Sequence, residues 1–407
     1  MLNDADSYGA GPLTGIRVLE LGSTVAAPFC GRLLADFGAS VVKVEEAAGD
    51  PLRSMGKRLN GRSLYAASIF RNKRLISVDL RRPEGQSLIR KIVRTTDILI
   101  ENFRPGTLER WNLGYDRLAE DNRALVMVRI SGFGQTGPYS QRPGFGVIAE
   151  AMGGLRHLTG DPDRPPSRVA TSLTDYLCGL HGALGALMAL HVARQTGRGQ
   201  VVDASLLESA FALTEPHVPA YDKLGFVACR AGSRLPDNVP NTLFECADGG
   251  LIHIATVGEP TFRRLAAAMG RPALAEDPRF RDAAARAQNE EALEAAITAW
   301  TRSKPLTDVD ALLRQHDVPA SRIFTMADIF RDPHFAAREA IAEVPDAELG
   351  SIKMAGVFPR LSRTPGGVRH TGGAIGADTR SVLRDLATIT DAEIDTLQRA
   401  GVIVCGG

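Results

Sequence analysis

Short apolar runs of strand length recur along the first third of the chain: residues 16–21 (IRVLEL), 40–45 (SVVKVE), 74–79 (RLISVD), 97–101 (DILIE) and 125–130 (LVMVRI). Their Val, Ile and Leu content and near-continuous hydrophobicity predict strands buried on both faces. Between them stand segments with helical spacing, residues 29–37, where Pro28 suits the first helical position, and 84–94. Strand and helix thus alternate to about residue 130, and so compact a β-α-β unit implies parallel strands joined by right-handed crossovers. The pattern predicts a doubly wound, Rossmann-like α/β sheet.

Beyond it the pattern changes. Residues 142–168 are rich in Gly, Pro and Arg and read as loops around one short helix. The most apolar stretch, residues 177–192 (LCGLHGALGALMALHV), contains His181 and His191. It is shorter than the roughly 20 residues that span a bilayer, so it predicts a buried core helix. Gly179, Gly182 and Gly185 are each unfavourable in a helix by about 1 kcal/mol relative to Ala, and present a thin face for a neighbouring backbone. A linker with Pro216, Pro219, Pro236 and Pro240 leads to a strand pair, residues 241–246 and 251–255, joined by the turn ADGG. Three helical segments then run to about residue 316, which predicts a separate, smaller α+β domain. After about residue 335 come strand-like and Gly-rich pieces and a final helix over 391–400.

Composition narrows the function classes. The 407 residues carry 48 Lys and Arg against 47 Asp and Glu, a net charge of +1. So balanced a chain is unsuited to a nucleic-acid polyanion, while a local basic pocket for a small phosphorylated ligand stays open. The five cysteines (Cys30, Cys178, Cys229, Cys246, Cys405) have no CxxC spacing, which fits reduced thiols and neither a disulfide framework nor a zinc site. The polar start, MLNDADSYGAGPL, does not resemble a signal peptide, and the expected location is cytoplasmic, with no membrane partner.

Local chemistry leaves choices open. The first strand–helix turn, GSTVAAP, has one Gly and lacks the GxGxxG dinucleotide fingerprint, although Glu45 sits where a ribose-binding acid would be. Asn102-Phe103-Arg104-Pro105-Gly106 follows a strand end, where sheet ligands bind, with Arg110 in the next helix; a turn with a buried Phe is the plainer reading. In TSLTDY, Asp175 enters the apolar helix either as an N-cap or as a carboxylate nucleophile beside free N–H donors. No His pair has metal-ligand spacing and no Ser sits in a GxSxG elbow.

Taken together, GIRVLELGSTVAAPFCGRLLADFGASVVKVE with GDPLR, RNKRLISVDLRRPEG, ENFRPGTLERWNLGY, SGFGQTGPY and SLTDYLCGLHGALGALMAL with TGRGQVVDASLLES resemble the class III coenzyme A transferases. That group includes formyl-CoA:oxalate and carnitine CoA-transferases, and the 2-methylacyl-CoA racemases share its fold. The similarity runs from about residue 13 to the end, with NTLFECADGGLIHIA and TFRRLAAAMG matching a small domain. The resemblance implies a large Rossmann-like domain from residues 1–215 and 336–407, a linker and small α+β domain over 216–335, and a homodimer of interlocked rings. It implies a catalytic Asp175 and contacts to CoA from Val25, Ala26, Val78, Asp79, Leu80, Arg81, Asn102, Phe103, Arg104 and Arg110. It further implies an aspartyl anhydride and then an aspartyl-CoA thioester as intermediates. Coenzyme A enters as a thioester substrate; no permanently bound cofactor and no metal are implied.

Several positions depart from the family pattern. Glu46 stands where the family has an arginine. A racemase needs a second acid/base, a His, where this chain has Phe145, followed by Gly146 in place of an acid. Transferase is therefore the preferred reading, with racemase as the alternative. The segment 255–260 (ATVGEP) has only Gly258 where formyl-CoA enzymes carry a glycine run, which counts against oxalate or formate. Arginines in RPGFG and RHLTGDPDRPPSR, with Arg53 and Arg58, suit a second carboxylate. The segment RPGFGVIAEAMGGLRHLTG is similar to transferases acting on C4–C5 dicarboxylates, for which succinyl-CoA is a common donor.

Overall fold

The structure, a computed structural model, describes residues 11–406. Most of the polar amino terminus discussed above lies outside them. Six parallel strands form the central sheet: β1 (Arg17–Glu20), β2 (Ser40–Glu45), β3 (Lys73–Val78), β4 (Ile98–Glu101), β5 (Val126–Ser131) and β6 (Val201–Ser205), in the order β3-β2-β1-β4-β5-β6. The short strand Ile403–Val404 pairs antiparallel with β3. The chain moves outward from β1 to β3, then returns to β4 on the other side of β1. That reversal leaves a crevice at the carboxyl ends of β1 and β4, where sheets of this type bind ligands.

Helix α1 (Ala26–Asp36) joins β1 to β2, α2 (Leu64–Ile69) precedes β3, and α3 (Pro83–Val93) joins β3 to β4. Helices α4 (Gly146–Met152) and α5 (Leu173–Thr196) lie between β5 and β6. Strand residues alternate faces, so Val18, Val41, Ile98 and Val128 pack with α1 and α5. Leu19, Val42, Leu99 and Met127 pack on the other face with α3 and the helix Thr379–Ala387. The glycines of α5 let it lie close. A Cβ on Gly179 would stand 2.6 Å from the Ala26 carbonyl oxygen, and one on Gly185 would stand 2.6 Å from Val202 Cγ1.

A chain of buried charges crosses the apolar sheet. Lys73 Nζ lies 2.6 Å from Glu20 Oε2; Lys43 Nζ lies 3.3 Å from Glu20 Oε1 and 2.8 Å from Asp50 Oδ2. Both ammonium groups also donate to main-chain oxygens, Lys43 to Gly22 and Lys73 to Pro28, and both lie over the Phe70 ring at 4.9 and 5.7 Å. Glu20 fits because Gly31 has no side chain: a Cβ there would lie 1.9 Å from Glu20 Oε2. Burial pulls the Lys73 ammonium down to about 8 against the pull of Glu20. For Lys43 burial acts the same way, but Glu20, Asp50 and Glu45 together raise it above its ordinary value.

The chain divides into two compact units; the first holds this sheet, with residues 11–156, Val169–Phe226 and 335–406. The second comprises His157–Arg168 and Val227–His334. In it β7 (Asn241–Glu245) and β8 (Leu251–Ala255) form a hairpin, and Ala320–Arg322 pairs antiparallel with β8. Phe244, Ile252 and Ile254 pack against Phe262, Leu265, Leu293, Ile297 and Leu313 from the surrounding helices.

The first five strands fall within one residue of their predicted ends. Helix α1 begins earlier, so Pro28 occupies its third position, where the absent N–H has no intrahelical partner in any case. The Pro-rich linker contains a helix, His217–Leu224, with Pro219 in its first turn for the same reason, and this helix belongs to the first unit. Helix α5 extends to 24 residues, long and apolar enough to cross a membrane, yet Gly179, Gly182, Ala183, Ala186 and Ala189 are buried within the unit.

Replacing Lys43 by Met leaves Glu20 and Asp50 buried with one ammonium fewer. Chemical denaturation of Lys43→Met is expected to show a loss of about 3–5 kcal/mol. An unchanged midpoint would show that the buried charges are not coupled.

Candidate functional site

A cavity of about 360 Å³ opens at the carboxyl ends of the central strands. Leu21 and Ser23 enter it after β1, Glu46 and Ala48 after β2, Val78, Leu80 and Arg81 from the end of β3, and Phe103 and Trp111 after β4. The Phe103 and Trp111 rings meet edge to face at 5.1 Å. An aromatic and aliphatic wall suits a flat heterocycle. A smaller cavity of about 210 Å³ adjoins it and shares Glu46, Ala48 and Arg81; Asp79 lines this second space.

The loops around the cavity are tied by side chains. Asn102 donates from Nδ2 to the Ser23 carbonyl and accepts the Ser23 N–H at Oδ1, each at 2.8 Å, bridging the ends of β1 and β4. Glu101 accepts the Phe103 N–H at 2.7 Å and is held by Arg129, which also reaches Glu109. Burial pushes the Glu101 carboxyl up to about 7, with Arg129 opposing it. Asp50 accepts the N–H of Thr24, a residue at φ 69°, and so fixes the turn after β1.

The expected CoA-contact residues therefore divide. Val78, Leu80, Arg81 and Phe103 line the larger cavity, Asp79 lines the smaller one, and Asn102 builds the wall rather than lining it. Arg104 and Arg110 are exposed nearby on the same loop and helix, and neither has a carboxylate partner among the described residues. Val25 and Ala26 are buried at the start of α1, so they can offer a ligand their main chain rather than their side chains.

Asp175 stands at the start of α5, but Ser172 takes the N-cap position and Asp175 is the third helical residue. The cap reading of Asp175 gives way to a first-turn carboxylate in the positive field of the helix end. Gly146, the first residue of α4, packs against it: a Cβ there would lie 2.3 Å from Asp175 Oδ2 and 2.5 Å from Thr174 Oγ1. Only a residue without a side chain leaves the carboxylate where it is.

Two tyrosines flank the same turn. Tyr176 meets Phe29 of α1 edge to face at 4.7 Å, and its hydroxyl lies 2.8 Å from that of Tyr65 on α2. Burial, the Tyr176 hydroxyl and the charge of Asp175 all raise the Tyr65 pKa, so the Tyr65 hydroxyl stays neutral, and either hydroxyl of the pair can donate to the other. Neither tyrosine stands out in the sequence; the pair is 111 positions apart. Phe145 is 71% exposed and has no proton to exchange. The buried thiols of Cys30 and Cys178 are raised by desolvation and are poor nucleophiles beside a carboxylate.

Several arginines expected to face a substrate carboxylate are already engaged. Arg53 grips Glu45 through two bonds of 2.7 and 2.6 Å, Arg156 pairs with Glu150 at 2.9 Å, and Arg142 stacks on Tyr139 at 3.8 Å. Arg58 has no carboxylate partner among the described residues.

Comparison with known proteins gives a consistent set of matches. The family described as CoA-transferase family III matches residues 13–379. Succinyl-CoA–D-citramalate CoA-transferase of Chloroflexus aurantiacus is 48% identical over 394 residues, covering 96% of this chain and 98% of the relative. Succinyl-CoA:mesaconate CoA-transferase of Haloarcula marismortui is 37% identical over 374 residues, covering 88% of this chain and 92% of the relative. A solved CAIB/BAIF family protein from Brucella suis superposes with a TM-score of 0.83 at 32% identity, covering 93% of this chain and all of that one.

Proposed function

The chain belongs to CoA-transferase family III, and from that premise we propose that it moves CoA from succinyl-CoA, or a similar donor, to a C4–C5 dicarboxylic acid through Asp175. The observation that carries this reading is the Asp175 carboxylate in the first turn of α5, held against the bare backbone of Gly146. The two transferases above act, by their names, on succinyl-CoA with citramalate or mesaconate.

The nucleotide end of CoA occupies the cavity at the strand ends, and its thioester reaches past the start of α1 to Asp175. A carboxylate oxygen of Asp175 attacks the acyl carbonyl and the CoA thiolate leaves, giving a mixed anhydride. The thiolate then attacks the aspartyl carbonyl, releasing the first acid and leaving an aspartyl-CoA thioester. The acceptor carboxylate attacks that thioester, the thiolate leaves again, and its attack on the acceptor's acyl carbonyl releases the new acyl-CoA and frees Asp175. Displacing a thiol of pKa about 8.5 by a carboxylate of pKa about 4 is unfavourable. Binding of the remote nucleotide and tight positioning offset it. The O–H that the mutual hydrogen bond of Tyr65 and Tyr176 leaves free serves as a donor to the acid substrate or to a developing oxyanion. Phe145 leaves the racemase reading without its second acid/base.

The protein works as a homodimer. Leu180, Leu184, Met188 and Val192 recur every four residues on α5 and are all exposed, Met188 at 61%, with Phe211 and Tyr221 exposed on following helices. A stripe of this kind in the same unit as Asp175 calls for a second copy to cover it.

An acyl-CoA and acid panel read by mass spectrometry is expected to show transfer from succinyl-CoA to dicarboxylates at least ~10-fold faster than to monocarboxylates, with Asp175→Ala reducing it by at least ~10³-fold. Full activity of Asp175→Ala would remove the proposed nucleophile. For the dimer, light scattering after gel filtration is expected to give twice the chain mass for the wild type and a folded monomer for Leu184→Glu/Met188→Glu. A monomeric wild type would contradict the second-copy reading.

A further inference from the structure

Among the described residues lining the two adjoining cavities, Arg81 is the only cation. The carboxylates there are not equivalent. Glu45 and Asp50 are already neutralised by Arg53 and Lys43, at 2.6 and 2.8 Å. Glu46 and Asp79 instead share Arg81: Nη2 lies 2.7 Å from Glu46 Oε2, and Nε lies 3.2 Å from Asp79 Oδ1. The mouth therefore carries two carboxylates against one guanidinium, a poor reception for a phosphate. Arg81 and Glu46 are both more than half exposed, so their pair is weak and opens readily to a stronger anion. A phosphate needs the guanidinium edge that Glu46 now occupies.

We propose that Glu46 competes with a CoA phosphate for Arg81, making it an affinity-limiting residue that eases release of the acyl-CoA product. The inference rests on the reading of the larger cavity as the CoA site. Binding displaces the Glu46 carboxylate from Arg81 without breaking any covalent bond. Asp79 keeps its contact and holds the guanidinium at the cavity mouth while the phosphate replaces Glu46. Because Arg81 is the shared partner, the effect of Glu46 depends on Arg81 being present, which separates competition from general charge repulsion.

Calorimetric titration of CoA into the wild type, Glu46→Gln, Arg81→Gln and the double variant tests this directly. Glu46→Gln is expected to bind CoA about 3–10-fold more tightly, and the gain is expected to vanish in the Arg81→Gln background. No gain, or the same gain without Arg81, overturns the competition. Ala48→Trp, at an exposed cavity residue, tests the underlying reading separately. If it binds CoA as the wild type does, the cavity is not the CoA site and the role of Glu46 falls with it. If it loses CoA while Glu46→Gln changes nothing, the cavity reading stands and only the competition is wrong.

Discussion

The Glu20 carboxylate holds the first three strands of this sheet together. It sits at the end of β1, accepts Lys73 from β3 at 2.6 Å and faces Lys43 of β2, which in turn holds Asp50. Asp50 then fixes the turn at Thr24 from which α1 departs. One buried set of charges thus ties three strands to the loop after β1. Removing a single member strands its partner in a low-dielectric interior, so the set persists or fails as a unit. Gly31 is part of the same arrangement, because any side chain there would occupy the space of the Glu20 carboxylate.

From α1 the constraint passes to Asp175. Its first turn accepts the close approach of Gly179, and Phe29 supports Tyr176 next to Asp175. The carboxylate is set from the other side by Gly146. A rigid sheet, one helix packed through glycines and one missing side chain therefore suffice to set the position of the Asp175 carboxylate. The loop that leads into α1 lines the cavity at the strand ends, and α1 itself packs against the start of α5 beside Asp175.

Much of the scaffold was legible because strands buried on both faces are continuous apolar runs, and β1 to β5 announce themselves in that way. The charges inside those runs were harder to read. Glu20, Lys43 and Lys73 resemble ordinary polar strand positions until the pairing brings them together, although a lone charge in a doubly buried strand is itself a signal. The helix Thr379–Ala387 was hidden behind a Gly-rich approach, and His217–Leu224 by prolines that its first turn tolerates. Asp175 was visible as a helix-start carboxylate, with two local roles open. Its third-position placement, its contact with Gly146 and the Tyr65–Tyr176 pair depend on residues distant in sequence, which no local pattern encodes. The arginines show the opposite error: Arg53 looked available for substrate, but Glu45 already holds it.

Covalent capture decides the role of Asp175 most directly. Protein mixed with succinyl-CoA in the absence of an acceptor acid, reduced with borohydride and digested, is to be read by peptide mass spectrometry. The prediction is a CoA thioester on the peptide containing Asp175 before reduction, and conversion of that aspartyl side chain to an alcohol afterwards. Active protein that forms no such adduct, or forms it on a different residue, contradicts the assignment of Asp175 as the nucleophile.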